Sequence, residues 1–164
     1  MKKVVCLLMA IAMVFSFAAC KKEEKNASTP QGSQTGNSSV VKGVAKDDLK
    51  VGFIYIGDEN EGYTAAHYYG AKAMQEALGL KDDQLIFKWN TPEDETCYDA
   101  AVDLAEQGCN IIFSDSYGHQ SFCLQAAEEY PDVQFVAMTG DTAKASGLDN
   151  FHNAFTGIYQ ARYV

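Results

Sequence analysis

The stretch "VGFIYIGDENEGYTAAHYYGAK", residues 51–72, decides the fold of this chain. Its first part is rich in Val, Ile, Phe and Tyr, which favour a β-strand buried on both faces. A loop of acids and glycines follows, and apolar residues then recur at helical spacing. The stretch predicts a strand over 49–56 and a helix over 65–78, with Tyr63 and Thr64 at the mouth of that helix. The predicted apolar face of the helix consists of Ala66, Gly70, Ala73, Met74 and Ala77.

The same alternation of strand and helix continues to the end of the chain. Further strands are predicted over 85–89, 110–116, 133–138 and 150–155, and helices over 91–107, 120–130 and from 158 onward. Regular alternation of this kind implies an α/β fold, a three-layer αβα arrangement with a parallel sheet of about five strands. In the strand order 2-1-3-4-5, ligands lie at the carboxyl ends of the strands, between the loops after strands one and three.

The helix after the second strand carries clear local signals. Thr91 is predicted as its N-cap, Pro92 as its first helical residue and Asp94 as the capping-box residue, and Gly108 ends it. Its apolar stripe is Cys97, Ala100, Ala101, Leu104 and Ala105. We interpret Cys97, Cys109 and Cys123 as buried apolar residues, because none has a metal-ligand spacing or an obvious nucleophile pattern.

The N-terminus has the layout of an export signal. Met1, Lys2 and Lys3 precede an almost wholly apolar run over 4–19, which is shorter than the roughly 20 residues that span a bilayer. The run ends in "SFAAC", which resembles the lipobox of bacterial lipoproteins, with Phe17 at the position usually taken by Leu. We expect cleavage after residue 19 and lipidation of Cys20, which would hold the protein at the outer face of the cell membrane.

Residues 20–46 have the composition of a tether between an anchor and a folded domain. They are rich in Ser, Asn, Gln, Gly and Thr and contain few large apolar side chains, so they could not bury enough surface to form a core. The ordered domain is therefore expected over 47–164. With 13 basic and 22 acidic residues, a net charge of -9 and no basic stripe, nucleic acid is not expected as a partner.

Three separated blocks of sequence resemble the basic membrane protein family of substrate-binding lipoproteins of ABC transporters, which includes purine nucleoside receptors. The blocks are "VGFIYIG" with "GYTAAHYYGAK", then "IIFSDSYGHQSFCLQAAEEYPDVQFVAMTG", then "NFHNAFTGIYQARYV". The resemblance implies a type I periplasmic-binding-protein fold of two lobes, a purine nucleoside or nucleobase as ligand, and a membrane permease as partner. By this resemblance residues 47–164 form the N-terminal lobe, and we expect the second lobe to be missing from the chain as given.

The resemblance also implies the ligand contacts. The stacking aromatic of the family falls on Tyr63, where Trp or Phe is usual, and the polar residue after it falls on Thr64. The Ser and aromatic of the third loop fall on Ser116 and Tyr117. A flat base needs a ring to stack on and hydrogen-bonding groups at its rim, and these side chains supply both. Asp58 and Thr139 complete the candidate set; no catalytic residue, metal or cofactor is expected.

Simpler interpretations of the same residues stay open at this point. Tyr63 could cover the first helix as a hydrophobic staple, Thr64 could only cap it, and His67 could be structural. Asp58, Glu59 and Glu61 could be a solvated loop.

Two other functions also stay open. The protein could sense its ligand and signal to a membrane receptor. Alternatively, Asp58, Glu59, Asp115 and Thr139 could mimic a Mg²⁺ or phosphoacceptor site, although the lysine expected after strand five is missing.

Overall fold

The computed structural model describes residues 43–154, and the sheet at its centre has five parallel strands in the order β2-β1-β3-β4-β5. The strands are β1 (Val51–Ile54), β2 (Leu85–Lys88), β3 (Ile111–Ser114), β4 (Gln134–Ala137) and β5 (Phe151–Asn153). The helices are α1 (Gly62–Leu78), α2 (Glu95–Glu106), α3 (His119–Glu129) and the short α4 (Ala143–Ser146). Single turns of 3₁₀-helix cover Lys46–Asp48 and Asp82–Gln84. The predicted fold class and strand order are confirmed.

Both faces of the sheet are covered, which explains why β1 is buried at every position. Ile54, Ile112 and Phe135 point toward α2 and α3 and form the larger core with them. Val51 and Phe53 point the other way, toward α1. Alternate residues of a strand face opposite sides of a sheet, so a continuous apolar run is what a strand between two helical layers requires.

The stripe predicted for α2 is confirmed: Cys97, Ala101 and Leu104 are fully buried. The predicted cap is wrong. The helix begins at Glu95, and its N-cap is Asp94, whose carboxylate accepts a hydrogen bond from the Thr96 backbone N–H at 2.9 Å. Thr91 lies outside the helix and is buried, with its carbonyl bonded to His119 at the start of α3 and its N–H donating to the Tyr55 carbonyl.

The apolar face predicted for α1 is also wrong. Ala66, Gly70, Ala73 and Ala77 are exposed and Met74 is half-buried, whereas Thr64, Ala71 and Gln75 are buried. Two polar residues can take core positions here because both have partners: Thr64 bonds to Asp115, and Gln75 Nε2 donates to Asp82 Oδ1 at 2.8 Å. The helix also begins three residues earlier than predicted, after an N-cap at Glu61.

All three cysteines in the described domain are free and buried, as predicted. The predicted helix from residue 158 lies outside the described residues, as do the export signal and Cys20. None of the helices within residues 43–154 has the length and apolar character needed to cross a membrane.

Candidate ligand-binding site

The loops after β1, β3 and β4 meet at the carboxyl edge of the sheet, and Tyr63 joins them. Its hydroxyl donates to the Asp115 carbonyl at 2.5 Å and lies 2.6 Å from Thr139 Oγ1. The His67 ring meets the Tyr63 ring edge-on, with centroids 4.7 Å apart. Tyr63 is nevertheless 43% exposed. An aromatic ring is therefore fixed at its hydroxyl and along one side while much of its surface is open to solvent.

The local sequence explains why Tyr63 stands at this point. Glu61 caps α1 by accepting hydrogen bonds from the backbone N–H groups of Tyr63 and Thr64, at 2.9 and 2.7 Å. These bonds to Thr64 and Tyr63 lower the pKa of Glu61, so the carboxylate is charged at neutral pH. Thr64 is thus not the N-cap, and the interpretation of Thr64 as the cap of this helix is wrong.

Thr64 instead connects the first loop to the third. Its hydroxyl donates to Asp115 Oδ2 at 3.1 Å and accepts a hydrogen bond from the Gly57 backbone N–H at 3.2 Å. Asp115 Oδ1 accepts from the Ile56 backbone N–H at 2.9 Å. Both Thr64 and Asp115 are fully buried, so they hold the two loops together from beneath the surface.

Burial raises the pKa of Asp115, because the charged carboxylate has lost its hydration. His119 lies nearby, with Nδ1 3.7 Å from Asp115 Oδ1. The Ser116 backbone N–H points to His119 Nδ1 at 3.4 Å, and His119 Nε2 lies 2.9 Å from the Thr91 carbonyl. With the Ser116 N–H directed at Nδ1, Nε2 is the ring nitrogen that donates to the Thr91 carbonyl.

Ser116 and Tyr117 lie on the same edge, and both are bound to acids. The Ser116 hydroxyl and the Gly118 backbone N–H donate to Glu93 Oε1, the latter at 2.7 Å. The Tyr117 hydroxyl lies 3.1 and 3.2 Å from the two carboxylate oxygens of Asp141, and Tyr117 is 55% exposed. The structure thus brings Tyr63, Ser116, Tyr117 and Thr139 to one edge.

Asp58 lies in the loop that leads to Tyr63, and its side chain bonds to the backbone of that loop. One of its carboxylate oxygens accepts from the Asn60 N–H at 2.8 Å. Across residues 43–154, no group of three or more His, Cys, Asp or Glu side chains is arranged to hold a metal ion. Asp115, one of the acids in the Mg²⁺ interpretation, is fully buried and accepts a hydrogen bond at each carboxylate oxygen.

Sequence reasoning missed the partners of these residues. Glu93 follows β2 and Asp141 follows β4, so their position at the carboxyl edge could have been inferred from the strand order alone. Gln120 carried no such signal: its Oε1 accepts from the backbone N–H groups of Asp141 and Thr142, which holds the fourth loop in place.

A separate cleft of about 370 Å³ opens beside α1 on the other side of His67. Its lining is almost wholly apolar and includes His67 but none of the predicted ligand contacts. The lining residues are Phe53, Tyr55, Ala66, His67, Gly70, Ala71, Met74, Phe113 and Met138.

The five-stranded parallel sheet in the order β2-β1-β3-β4-β5, covered by helices on both faces, is like a lobe of the type I periplasmic-binding-protein fold. The chain is 33% identical over 121 residues to a purine-binding protein of Brucella abortus, a match that covers 73% of this chain and 33% of that protein. It also matches a solute-binding protein of an ABC transporter system from Conexibacter woesei, with a TM-score of 0.54 and 23% identity over 64% of this chain and 34% of that one. At that identity the structural match supports the fold alone.

The purine-binding relative agrees with the resemblance seen in the sequence, and the structural match agrees with the predicted fold. A search of protein-family models gave no match. The match spans about a third of the length of each of these two proteins.

Proposed function

We propose that this protein is the solute-binding component of an ABC importer and that it binds a purine nucleoside or nucleobase outside the cytoplasm. The purine-binding relative from Brucella supports the ligand class, and the solute-binding fold supports the role. On this proposal the partner is a permease in the membrane, and the protein itself performs no chemical reaction.

The observation that carries the proposal is the position of Tyr63. A purine has flat apolar faces, and stacking one base on an aromatic side chain contributes about 1 to 3 kcal/mol. Tyr63 presents a ring that is partly exposed and fixed by Asp115 and Thr139, so little entropy is lost when a base stacks on it.

The rim of the site supplies hydrogen-bonding groups for the edges of a nucleoside. Ser116, Tyr117 and Thr139 carry hydroxyls at the same edge of the sheet, and Asp58 lies on the adjoining loop. We propose Ser116, Tyr117 and Asp58 as direct contacts, whereas Thr139 acts on the ligand through the Tyr63 hydroxyl. Thr64 is fully buried, so its role is to position the loops through Asp115.

The ligand is tested by calorimetric titration of the full-length protein with guanosine, inosine, adenosine and hypoxanthine, and with uridine and ribose as controls. Saturable heat is expected for at least one purine and none for ribose. Mass spectrometry of small molecules that co-purify with the protein provides an independent check. A folded protein that binds none of the purines, or that carries a sugar or an amino acid from the cell, would contradict the proposal.

We further propose that the mature protein begins at a lipidated Cys20, which anchors it at the outer face of the cell membrane. Two or more acyl chains give stable anchoring. Cys20→Ala should move the protein from the membrane fraction to the soluble fraction or leave the signal uncleaved. Mass spectrometry of the N-terminal peptide should show a lipid mass on Cys20, and an unmodified Cys20 in the membrane fraction would contradict the anchor.

A further inference from the structure

Gln120, the second residue of α3, is buried and directs its side-chain amide at the loop after β4. Its Oε1 atom accepts hydrogen bonds from the backbone N–H groups of Asp141 and Thr142, at 2.9 and 3.2 Å. The Thr142 hydroxyl donates to the same oxygen at 2.9 Å. An amide oxygen has two lone pairs, so these three donors use its full capacity. The oxygen of Gln120 is therefore committed to holding this loop.

The loop is packed closely around Gln120 at Gly140. A Cβ atom at position 140 would lie 2.6 Å from Gln120 Oε1 and 2.5 Å from Asn153 Nδ2, closer than real Cβ atoms come. Gln120 could not move aside without losing its three hydrogen bonds. Asn153 is held as well, because its Oδ1 accepts a hydrogen bond from the Ala143 backbone N–H at 2.7 Å. Two side-chain amides thus fix the backbone of the loop over 140–143.

This loop in turn holds the hydroxyls of both exposed tyrosines of the proposed site. Thr139 Oγ1 lies 2.6 Å from the Tyr63 hydroxyl, and the carboxylate of Asp141 accepts the hydrogen bond of the Tyr117 hydroxyl. Gln120 Nε2 also points to Asp141 Oδ1, at 3.5 Å. Within residues 43–154, the side-chain hydrogen bonds of Gln120 go to the loop and to neither tyrosine.

We propose that Gln120 is a positioning residue of the binding site, which raises the affinity for the ligand without touching it; this inference rests on the proposed function. A loop that has lost the amide of Gln120 would have more conformations open to it. The two tyrosines would then be less well fixed before the ligand arrives, and binding would have to order them at an entropic cost.

Gln120→Met tests the inference, because methionine has a similar length but cannot form these hydrogen bonds. Gln75→Met is the matched control. Gln75 is 6% exposed and Gln120 is 5% exposed, and the amide of Gln75 binds Leu80 and Asp82 beyond the end of α1, away from the proposed site. Urea titration measures the stability of both variants. Calorimetric titration of the full-length protein with its tightest purine ligand measures the affinity.

Both variants should be less stable than the wild type, but only Gln120→Met should bind the purine less tightly. We expect a loss of about fivefold or more, the usual effect of removing one hydrogen bond. Gln75→Met should stay within about twofold of the wild type, since distant sites act independently. An affinity of Gln120→Met equal to that of the wild type, or an equal loss in Gln75→Met, would overturn the inference.

The tyrosine hydroxyls provide a test that a merely structural role would not pass. In a protein that carries Tyr63→Phe and Tyr117→Phe together, both rings remain but their bonds to the loop are gone. Adding Gln120→Met to this protein should then change the affinity by less than about twofold. The same loss as in the wild-type background would show that Gln120 does not act through the tyrosines, and would overturn the inference.

Hydrogen exchange tests the loop without any ligand. The backbone amides of Asp141 and Thr142 should exchange about tenfold or more faster in Gln120→Met, because local opening of the loop becomes easier. They should keep the wild-type rates in Gln75→Met. Unchanged rates in Gln120→Met would contradict its role in holding the loop. If Gln120→Met does not fold, Gln120→Asn takes its place, since its amide is one methylene too short to reach the loop.

The two measurements together separate this inference from the proposed function. If the wild type binds no purine but exchange at Asp141 and Thr142 rises in Gln120→Met, the proposed function fails while the role of Gln120 in the loop stands. If the wild type binds a purine and Gln120→Met binds it as tightly, the proposed function stands and the positioning role of Gln120 is wrong.

Discussion

The Tyr63 hydroxyl lies 2.6 Å from Oγ1 of Thr139, which is 76 residues further along the chain. Asp141, in the same loop as Thr139, binds the hydroxyl of Tyr117. The loop after β4 therefore fixes both of the exposed tyrosines at the carboxyl edge. It gives the proposed binding site a rigid rim before any ligand arrives, and rigid contacts lose less entropy on binding.

Thr139→Val should weaken purine binding by about 0.5 to 1.5 kcal/mol, the usual net value of one hydrogen bond. The cause is indirect: the ring of Tyr63 loses one of its two hydroxyl partners. A double-mutant cycle with Tyr63→Phe, measured by calorimetry, isolates this effect. In the Tyr63→Phe background, Thr139→Val should cost little more. Fully additive losses would show that Thr139 acts on the ligand independently of Tyr63.

The buried carboxylate of Asp115 should give the protein a distinctive pH dependence. Burial raises the pKa of Asp115 in the folded state, so the folded protein holds this proton more tightly than the unfolded chain does. Its contribution to stability therefore falls as pH rises from about 4, the ordinary pKa of Asp, through the raised folded value. Glu61, Glu93 and Asp103 have lowered pKa values and act in the opposite direction.

Comparison of the wild type with Asp115→Asn separates the effect of the raised pKa of Asp115 on stability from the effects of the acids with lowered pKa values. The free energy of unfolding, from urea titrations between pH 4 and 7, should fall with pH in the wild type relative to the variant. Only the trend with pH matters, because the change in hydrogen bonding is common to all pH values. A difference that stays flat, or that grows in favour of the wild type, would show that the carboxylate is not destabilised by burial.

Substitution by Ala should lower the stability of the domain at Gly52 and raise it at Gly70. A Cβ at Gly52 would lie 3.0 Å from Leu104 Cδ1 and 3.2 Å from Ile112 Cγ1, so Gly52→Ala should destabilise the domain by about 1 to 3 kcal/mol through overpacking. Gly70 is an exposed residue in the middle of α1, and a Cβ there would have no atom within 4 Å apart from the backbone of the helix itself. Gly70→Ala should therefore stabilise the domain by about 0.5 to 1 kcal/mol. Chemical denaturation of both variants tests the pair, and a stabilising Gly52→Ala would contradict the close contact of α2 with β1.

The three cysteines of the described domain should be unreactive while it is folded. Burial raises the pKa of Cys109 to about 11, and the contact with Cys123 together with burial raises the pKa of Cys97. The thiolate is the reactive form, so iodoacetamide at pH 8 should modify these residues slowly in buffer and quickly in urea. Peptide mass spectrometry gives the rate for each site. Equal rates at Cys109 in both conditions would show that it is not in the core.

The sequence predicted the order of strands and helices because these depend on patterns within a few residues. It also predicted which loops converge, since the strand order fixes the carboxyl edge. It did not predict the buried face of α1, where Thr64 and Gln75 take core positions that the spacing of Ala66, Gly70 and Ala73 assigned to alanine and glycine. Thr64 and Gln75 can be buried because Asp115 and Asp82 accept their hydrogen bonds. Partners that lie outside the helix leave no pattern in its sequence.

The starts of the helices show the same limit of prediction from sequence, here for two residues that are neighbours in the chain. A carboxylate can cap the helix that it precedes, as Glu61 and Asp94 do, and these caps were within reach of the sequence. Glu93 lies beside Asp94 in the chain but binds the start of α3 instead. Only the folded arrangement of the two loops decides between these roles.

The proposed binding site depends most directly on the ring of Tyr63, and Tyr63→Ala tests it. Calorimetric titration of the full-length protein with the tightest purine ligand should show a loss of about 1 to 3 kcal/mol in Tyr63→Ala, as expected for one stacked base. Tyr63→Phe, which keeps the ring, should lose less. If Tyr63→Ala lowers the thermal stability but binds the purine as tightly as the wild type does, Tyr63 only covers the helix, and the proposed site is wrong.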